Sequence, residues 1–233
     1  MRGGVILEDD CVPNVSFFRF CDEMLERYKD TEEVFMVSGW SSLDFAPNLS
    51  TENLAPKATL QEDYYFSKYS HIWGWATWAR AWAKYSFDLS DFESVSKDFE
   101  YCLEDEKKGW RLVCESLRKN TLDAWSYYWV YTIWKHKGLC VYPKNNMIKN
   151  IGLNRPDAAH TTGPSKYEFL PIYELTFPLK HPKKLERNKW LDEVNYKTVF
   201  YQPEPKIPAI KRIRRKIKYK IISLFKKILK KTQ

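Results

Sequence analysis

The sequence predicts an α/β fold, a mixed sheet flanked by helices, from two observations. Short apolar runs at residues 5–7, 34–37, 64–67 and 139–143 have the length of buried strands. Apolar side chains recur at helical spacing over residues 17–28, between the first two of these runs. At 233 residues the chain is long enough for one domain with a sizeable core.

The first three predicted elements form a βαβ unit. Residues 5–7 give the first strand, and residues 34–37 give the second, which ends at Ser38 and Gly39. Ligands in open α/β sheets bind at the carboxyl ends of strands, so the residues just after the first strand are candidates for a site. The helix between the two strands has one apolar face, formed by Phe17, Phe20, Cys21, Met24, Leu25 and Tyr28.

Three consecutive acidic residues, Glu8, Asp9 and Asp10, follow the first strand. In an extended backbone Glu8 and Asp10 share a face, and Asp9 points the other way. The three carboxylates repel one another unless a cation neutralises them, and oxygen ligands favour a hard divalent ion, Mg²⁺ or Mn²⁺. The alternative is a solvated acidic turn without a ligand.

The middle of the chain holds a long polar loop and then an aromatic stretch. Residues 40–63 lack periodicity, and a helix is predicted over residues 77–85. Between the two, Gly74 predicts a tight turn that either presents Trp73 and Trp75 to a ligand or packs them in the core. His71 could contact a phosphate, although a structural histidine is the simpler interpretation.

Residues 88–160 are predicted to include helices and a late polar loop. Residues 88–120 are predicted to be helical, with Trp110, Val113, Cys114 and Leu117 on the apolar face. A further helix runs from Asp123 to about residue 137 and stops at Gly138, a predicted left-handed C-cap. Asp123 is either the N-cap of that helix or a general base. His160 lies in a later polar loop, as either a metal ligand or a surface residue.

Composition and charge exclude several classes of protein. The five cysteines include no CxxC pair, which argues against a disulfide framework and a zinc site and favours a reducing cytoplasm. Twelve of the 38 Lys and Arg residues fall in residues 206–233, which leaves 26 basic against 30 acidic residues, a net charge of −4, in residues 1–205. The body of the chain is therefore not expected to bind nucleic acid.

Residues 206–233 predict a basic amphipathic helix. Such a helix binds anionic membrane surfaces, so residues 207–231 are expected to hold a peripheral, cytoplasmic protein at the inner face of the membrane. The alternatives are a helix docked on the core and a solvated basic tail. The apolar stripe is formed by Ile210, Ile213, Ile217, Ile221, Leu224 and Ile228.

Four motifs, taken in order, resemble those of bacterial GT-A-type glycosyltransferases related to family 2, a group that includes haemolytic-protein-like sugar transferases. The first is LEDDCVP at residues 7–13, with Phe17 and Phe18 behind it. The second is HIWGWATW at residues 71–78, and the third is DAWSYYW at residues 123–129. The fourth combines NIG at residues 150–152 with AHT at residues 159–161. The resemblance runs from Gly3 to about Pro182.

The resemblance implies a GT-A-like fold and the metal-dependent, inverting transfer of a sugar from a nucleotide-sugar to an acceptor hydroxyl. The acceptor would be a surface glycan or a lipid-linked molecule. Asp10 would bind Mn²⁺ or Mg²⁺, with Glu8 or Asp9 assisting and His160 as a further ligand, and Asp123 would be the general base. The residues that would border the donor and the acceptor are Glu8, Asp9, Trp73, Gly74 and Trp75.

In that group the acidic motif follows an N-terminal half that binds the nucleotide base, whereas here only residues 1–3 precede the run from Gly4 to Asp10. A fragment, a misplaced start or a separate polypeptide would each account for this. The sequence therefore predicts a partial GT-A domain over residues 1–182, a linker over 183–205 and the basic tail over 206–233. Two other functions stay open: a non-catalytic fragment of such an enzyme, and a membrane-active protein that acts through its tail.

We expect the full chain to sediment with anionic vesicles and not with neutral ones, and a chain truncated after Pro205 to stay in the supernatant. Each Lys or Arg near an anionic surface contributes about 1 kcal/mol, and the apolar stripe inserts into the interface. Added salt should weaken the binding, because it shortens the Debye length. Equal sedimentation of the truncated chain would show that the tail is not the membrane contact.

Overall fold

The computed structural model describes residues 3–45, 56–100, 103–155 and 165–200. The chain divides into two units, Met1–Tyr201 and Gln202–Gln233, and all described residues lie in the first. The tail predicted at residues 206–233 and the candidate ligand His160 lie outside the described residues. Within the described ranges, no helix is both long enough and apolar enough to cross a bilayer.

Seven strands form two sheets. They are β1 (Gly3–Ile6), β2 (Cys11–Pro13), β3 (Val34–Ser38), β4 (Tyr64–Ser67), β5 (Trp75–Trp78), β6 (Leu139–Pro143) and β7 (Ile148–Asn150). The main sheet has the order β1-β5-β3-β6-β4, and β2 pairs with β7 separately. β3 and β6 are parallel, and the other pairs are antiparallel. The mixed sheet expected from the sequence is therefore present.

Helices flank this sheet. They are α1 (Val15–Arg27), α2 (Pro56–Thr59), α3 (Ala79–Trp82), α4 (Phe92–Val95), α5 (Glu104–Arg118), α6 (Trp125–Lys135) and α7 (Lys189–Asn195). Leu43–Phe45 and Lys166–Phe169 form 3₁₀ turns, and Tyr196–Phe200 forms a π-helical turn.

Two core clusters pack against the sheet. α1 and α7 contribute to one of them, in which Phe17, Met24 and Leu191 are fully buried. α5 and α6 contribute to the other, through Trp110 and Trp129 among others. β3 supplies side chains to both clusters, as a central strand with two covered faces does.

β5 lies between β1 and β3 and is antiparallel to both. Ile6 pairs with Trp75 on one side, and Ser38 pairs with Trp75 on the other. β1 and β3 therefore run parallel to each other and are joined by α1, but they are not neighbours. The predicted βαβ unit is present with a third strand inserted into it.

Helix α1 begins at Val15, two residues before the predicted start at residue 17, and Asn14 is its N-cap. Its side chain accepts a hydrogen bond from Phe17 N at 3.0 Å, which satisfies one of the free N–H groups of the first turn. At the other end, the guanidinium of Arg80 donates to Tyr28 O and Lys29 O just after the helix. Both ends of the helix that follows the acidic turn are thus fixed.

Three predicted segments differ in the structure. Residues 88–120 were expected to be helical, but the described residues there form two helices, the four-residue α4 and the longer α5, with turns between them. Residues 77–85 were expected to be one helix, but Trp75–Trp78 forms the inserted strand and α3 has only four residues. Lys189–Asn195 falls in the predicted linker, yet it forms α7, in which Leu191 and Val194 are fully buried. These residues belong to the folded unit because their apolar side chains complete its core.

The left-handed residue after α6 is Lys137, with φ 53°, and not Gly138 as predicted. Lys137 N donates to Trp134 O at 2.9 Å, and Gly138 N donates to Ile133 O at 2.7 Å, which together form a Schellman motif. Gly138 is needed for a different reason, since a Cβ there would lie 2.5 Å from Cδ2 of Phe35.

A buried carboxylate joins α7 to the sheet. Asp192 is fully buried, accepts a hydrogen bond from Ser67 Oγ at 2.6 Å and lies 3.3 Å from Arg187 Nε. Burial raises the pKa of Asp192 to about 7, and Ser67 and Arg187 oppose this shift only in part.

We expect Asp192 to make the free energy of unfolding fall as the pH rises from about 4 to about 7. Its pKa in the folded protein, about 7, lies above its usual 3.8, so in this window the folded protein keeps a proton that the unfolded chain loses. The stabilisation is complete below the lower pKa and is lost as the pH passes the higher one. At most one proton is involved, so the free energy of unfolding falls by at most about 1.4 kcal/mol per pH unit.

Urea unfolding at several pH values tests this. Asp192→Asn should flatten the dependence in that window, and Glu193→Gln, its partly exposed neighbour in α7, should leave it unchanged. The same slope in Asp192→Asn and the unmodified chain would contradict the assignment.

Candidate metal and donor site

The chain turns back sharply after β1. Cys11 N donates to Glu8 O at 3.0 Å and closes a turn that contains Asp9 and Asp10. β2 then pairs with β7, with Cys11 opposite Asn150. The acidic triplet is therefore held between two short stretches of sheet rather than in an open loop.

Two of the three acidic side chains come together with a cysteine. One ligand atom each from Glu8, Asp10 and Cys11 lies within 4.8 Å of the others, and Asp9 is exposed and outside this group. The grouping of Glu8 with Asp10 agrees with the alternation expected from the sequence, although the backbone here is a turn. Two carboxylates at this distance suit a hard divalent ion such as Mg²⁺ or Mn²⁺.

Cys11 takes part in this group as a neutral thiol. It is buried, and burial followed by the charges of Asp10 and Glu8 raises the pKa of its thiol to about 12. Its Sγ lies 3.5 Å from Asp10 Oδ1, in position to donate. The thiol therefore lies in position to orient Asp10, and the oxygen atoms of Glu8 and Asp10 are the ligands in this group that suit a hard divalent ion.

Gly152 fixes the position of Asp10 from the other side. A Cβ at Gly152 would overlap Asp10 Oδ2 and lie 3.0 Å from Asp10 Cγ. Ile151 N donates to Asp10 O at 2.8 Å, and Gly152 N donates to Asn150 Oδ1 at 2.8 Å. The backbone of the NIG motif thus lies against the Asp10 carboxylate, which a side chain at position 152 would displace from its present position.

The aromatic stretch divides between core and surface. Gly74 has φ 66°, as the predicted tight turn requires, and Gly74 O accepts from Gly39 N at 2.8 Å. Trp75 is 2% exposed and packs among other tryptophans, whereas Trp73 is partly exposed and packs edge-on against Trp40. Of the two indoles, Trp73 has the surface available to meet a ligand.

His71 is a structural histidine. Its ring lies 4.4 Å from that of Trp40 and stacks on Phe200 at 5.6 Å, and its Nε2 lies 3.4 Å from Asn195 Nδ2. Desolvation lowers the pKa of His71 to about 3, so the ring is neutral at physiological pH. The residue is partly exposed beside these aromatic side chains, and a neutral ring does not supply a cation for a phosphate.

Asp123 does not cap α6. The helix begins at Trp125, its N-cap is Ala124, and no side chain caps it, so the N-cap alternative is wrong. Asp123 is exposed just before the helix. The ring of Trp125 stacks on Trp75 with centroids 5.9 Å apart, and Trp75 pairs with Ile6, two residues before Glu8. The start of α6 therefore lies at the end of β1 that leads into the acidic turn.

Cys11 and Gly152 are site residues whose roles the sequence did not predict. Cys11 was one of five scattered cysteines, and the only available signal was its position next to Asp10. Gly152 belonged to a motif without an assigned task.

Comparisons with protein-family models and with curated proteins found no match for this chain.

Gly152→Ala should weaken Mn²⁺ binding about as much as Asp10→Asn does, because the new methyl group must displace the Asp10 carboxylate. Mn²⁺ titration followed by electron paramagnetic resonance measures this directly. Gly109→Ala is the control, since a Cβ on Gly109 meets no atom within 4 Å. If Gly152→Ala binds Mn²⁺ like the unmodified chain, the backbone at Gly152 does not position Asp10 for the metal ion.

Proposed function

We propose that this protein is a glycosyltransferase of GT-A type that moves a sugar from a nucleotide-sugar to an acceptor hydroxyl, with inversion at the transferred carbon. The observation that carries the proposal is the pair of carboxylates, Glu8 and Asp10, grouped within 4.8 Å at the end of a sheet strand and backed by Gly152. The strand end is where α/β folds bind nucleotide ligands. The sequence resemblance supplies the reaction class.

Glu8 and Asp10 would hold Mn²⁺ or Mg²⁺, and their oxygen atoms fit such an ion. A bound ion would neutralise the negative charge of the leaving diphosphate. The buried thiol of Cys11 and the backbone at Gly152 keep Asp10 in place, which reduces the reorganisation needed when the donor binds. Trp73, at the partly exposed edge of the aromatic cluster, is the proposed contact for a sugar ring.

Asp123 is the proposed general base. An inverting transfer needs one carboxylate to take the proton of the acceptor hydroxyl as the new bond forms. Asp123 is exposed and uninvolved in capping, and the Trp125–Trp75 stack brings the start of its helix to the end of β1. Its freedom from a structural task favours the catalytic role over the alternative that the sequence left open.

The acceptor and the location of the protein are part of the same proposal. The acceptor is a surface glycan or a lipid-linked molecule, and the basic tail holds the protein at the inner face of the membrane. The tail lies outside the described residues, so its sequence pattern carries this part of the proposal.

Asp10→Asn should abolish the Mn²⁺-dependent release of nucleoside diphosphate from a panel of uridine, thymidine and guanosine diphosphate sugars. The substitution removes a ligand charge and no core volume, so thermal unfolding should be almost unchanged. Asp9→Asn should weaken Mn²⁺ binding far less than Asp10→Asn, since Asp9 lies outside the carboxylate group. Full turnover of Asp10→Asn at saturating Mn²⁺ would contradict the metal assignment. If the unmodified chain binds Mn²⁺ but turns over no donor, the chain is a non-catalytic fragment.

Asp123→Asn should lower turnover about 10²–10⁴-fold and leave donor and Mn²⁺ affinity unchanged, as the loss of a general base does. Asp105→Asn, an exposed residue of α5, is the matched control. Steady-state rates give the comparison. If Asp123→Asn reduces the rate no more than Asp105→Asn, another group is the base.

A further inference from the structure

Within the described part of the chain, β1 is the edge strand of the main sheet. It pairs with β5 on one side, and no described strand lies on the other. Alternate backbone N–H and C=O groups of Gly3–Ile6 therefore point outward, and no described backbone group pairs with them. Such an edge is a template for another strand.

An apolar groove of about 670 Å³ runs along one face of this edge. Gly4, Ile6 and Thr77 are among its floor residues, and aromatic side chains form its walls. The hydroxyl of Thr77 is already used, since it donates to Phe35 O at 2.7 Å. The Thr77 hydroxyl is therefore not free for a ligand, and most of the groove lining is aromatic or aliphatic. Three wall residues are substantially exposed: Trp82 at 40%, Phe87 at 66% and Trp125 at 36%.

The other face of β1 also carries uncovered apolar side chains. Val5 and Leu7, which alternate with the groove residues, are each 38% exposed. A small molecule in the groove would leave both of them in water. A strand paired with β1 would instead place its own side chains beside those of β1 on both faces. The exposure on two faces thus favours a strand over a small ligand.

The residues of this edge lack the usual protection against pairing. Natural edge strands carry Lys, Pro or a bulge, whereas residues 3–7 contain none of these. Arg2 precedes these residues in the sequence, and the charged side chains that follow them are Glu8, Asp9 and Asp10. A paired segment would therefore be favoured by Lys or Arg where it passes this turn.

We propose that the outer edge of β1 and the adjoining groove bind an extended polypeptide segment, with apolar residues at alternate positions over the groove and a basic residue beside the acidic turn. The segment adds one strand to the sheet, and its apolar side chains cover Gly4 and the exposed aromatic walls. The basic residue would share the acidic turn with the metal ion of the proposed function, whereas the contacts with the strand edge and the groove do not require that function and stand if it fails.

A short peptide of alternating valine and threonine, with two lysines at each end, is the probe. The lysines at both ends allow either strand direction. We expect it to bind the full chain saturably, to change the tryptophan fluorescence, and to protect the amides of Gly3–Ile6 from hydrogen exchange. Added salt should weaken the binding. The same peptide N-methylated at alternate residues cannot pair with the edge and should bind about tenfold more weakly or worse.

Gly4→Leu is the test on the protein side. A Cβ at Gly4 meets no atom within 4 Å, so the new side chain extends into the groove and should reduce peptide affinity about tenfold or more. Gly109→Leu, equally unobstructed but on α5, should bind like the unmodified chain. Phe87→Ser removes a largely exposed groove wall and should also weaken binding, which covers the case that Gly4→Leu does not fold.

Three results would overturn the proposal. Absence of saturable binding is the first, and equal binding of the N-methylated peptide is the second, because it would indicate a small-ligand groove. The third is a dimer, seen by sedimentation, that the peptide does not dissociate, since a second copy would then occupy this edge.

Discussion

The site depends on the insertion of β5 between β1 and β3. β1 has four residues, and a pair of strands that short is only marginally stable in water by itself. β5 pairs with β1 on one side and with the central strand β3 on the other, so it attaches β1 to the core. Gly74, with φ 66°, makes the turn into β5, and a Cβ on it would overlap Ile148 of β7. Gly74 therefore lies between the strand that pairs with β1 and the small sheet that follows the acidic turn, and a larger residue there would disturb both.

The electrostatics of that turn explain why its packing is so constrained. Two unit charges 4.8 Å apart repel each other by about 1 kcal/mol at the dielectric of bulk water and by about 3.5 kcal/mol at an effective dielectric of about 20. The fold nevertheless holds Asp10 in place through Cys11 on one side and the backbone of Gly152 on the other. A repulsion that the fold maintains in this way is relieved by a cation, and this is the physical argument that supports the proposed metal site.

The sequence predicted those parts of the fold whose apolar pattern is local. Residues 34–37, 64–67 and 139–143 were predicted as strands because each run is short and rich in apolar or aromatic residues, and all three are strands in the structure. Trp75–Trp78 was not predicted as a strand, because its pairing with β1 and β3 is set by contacts distant in sequence. The residues of α7 were predicted to be part of a linker, because charged residues surround the two apolar side chains that are buried in the structure. The position of the acidic turn could be predicted, but the wall behind Asp10 could not, because Gly152 is more than 140 residues away in the chain.

Anomalous diffraction at the manganese edge, from crystals of this protein grown with Mn²⁺ and uridine diphosphate, locates the bound metal ion directly. We expect one strong peak within bonding distance of carboxylate oxygens of Glu8 and Asp10, with the diphosphate on the open side of the ion. A diphosphate bound elsewhere, or a peak at another acidic group with none at Glu8 and Asp10, would contradict this expectation.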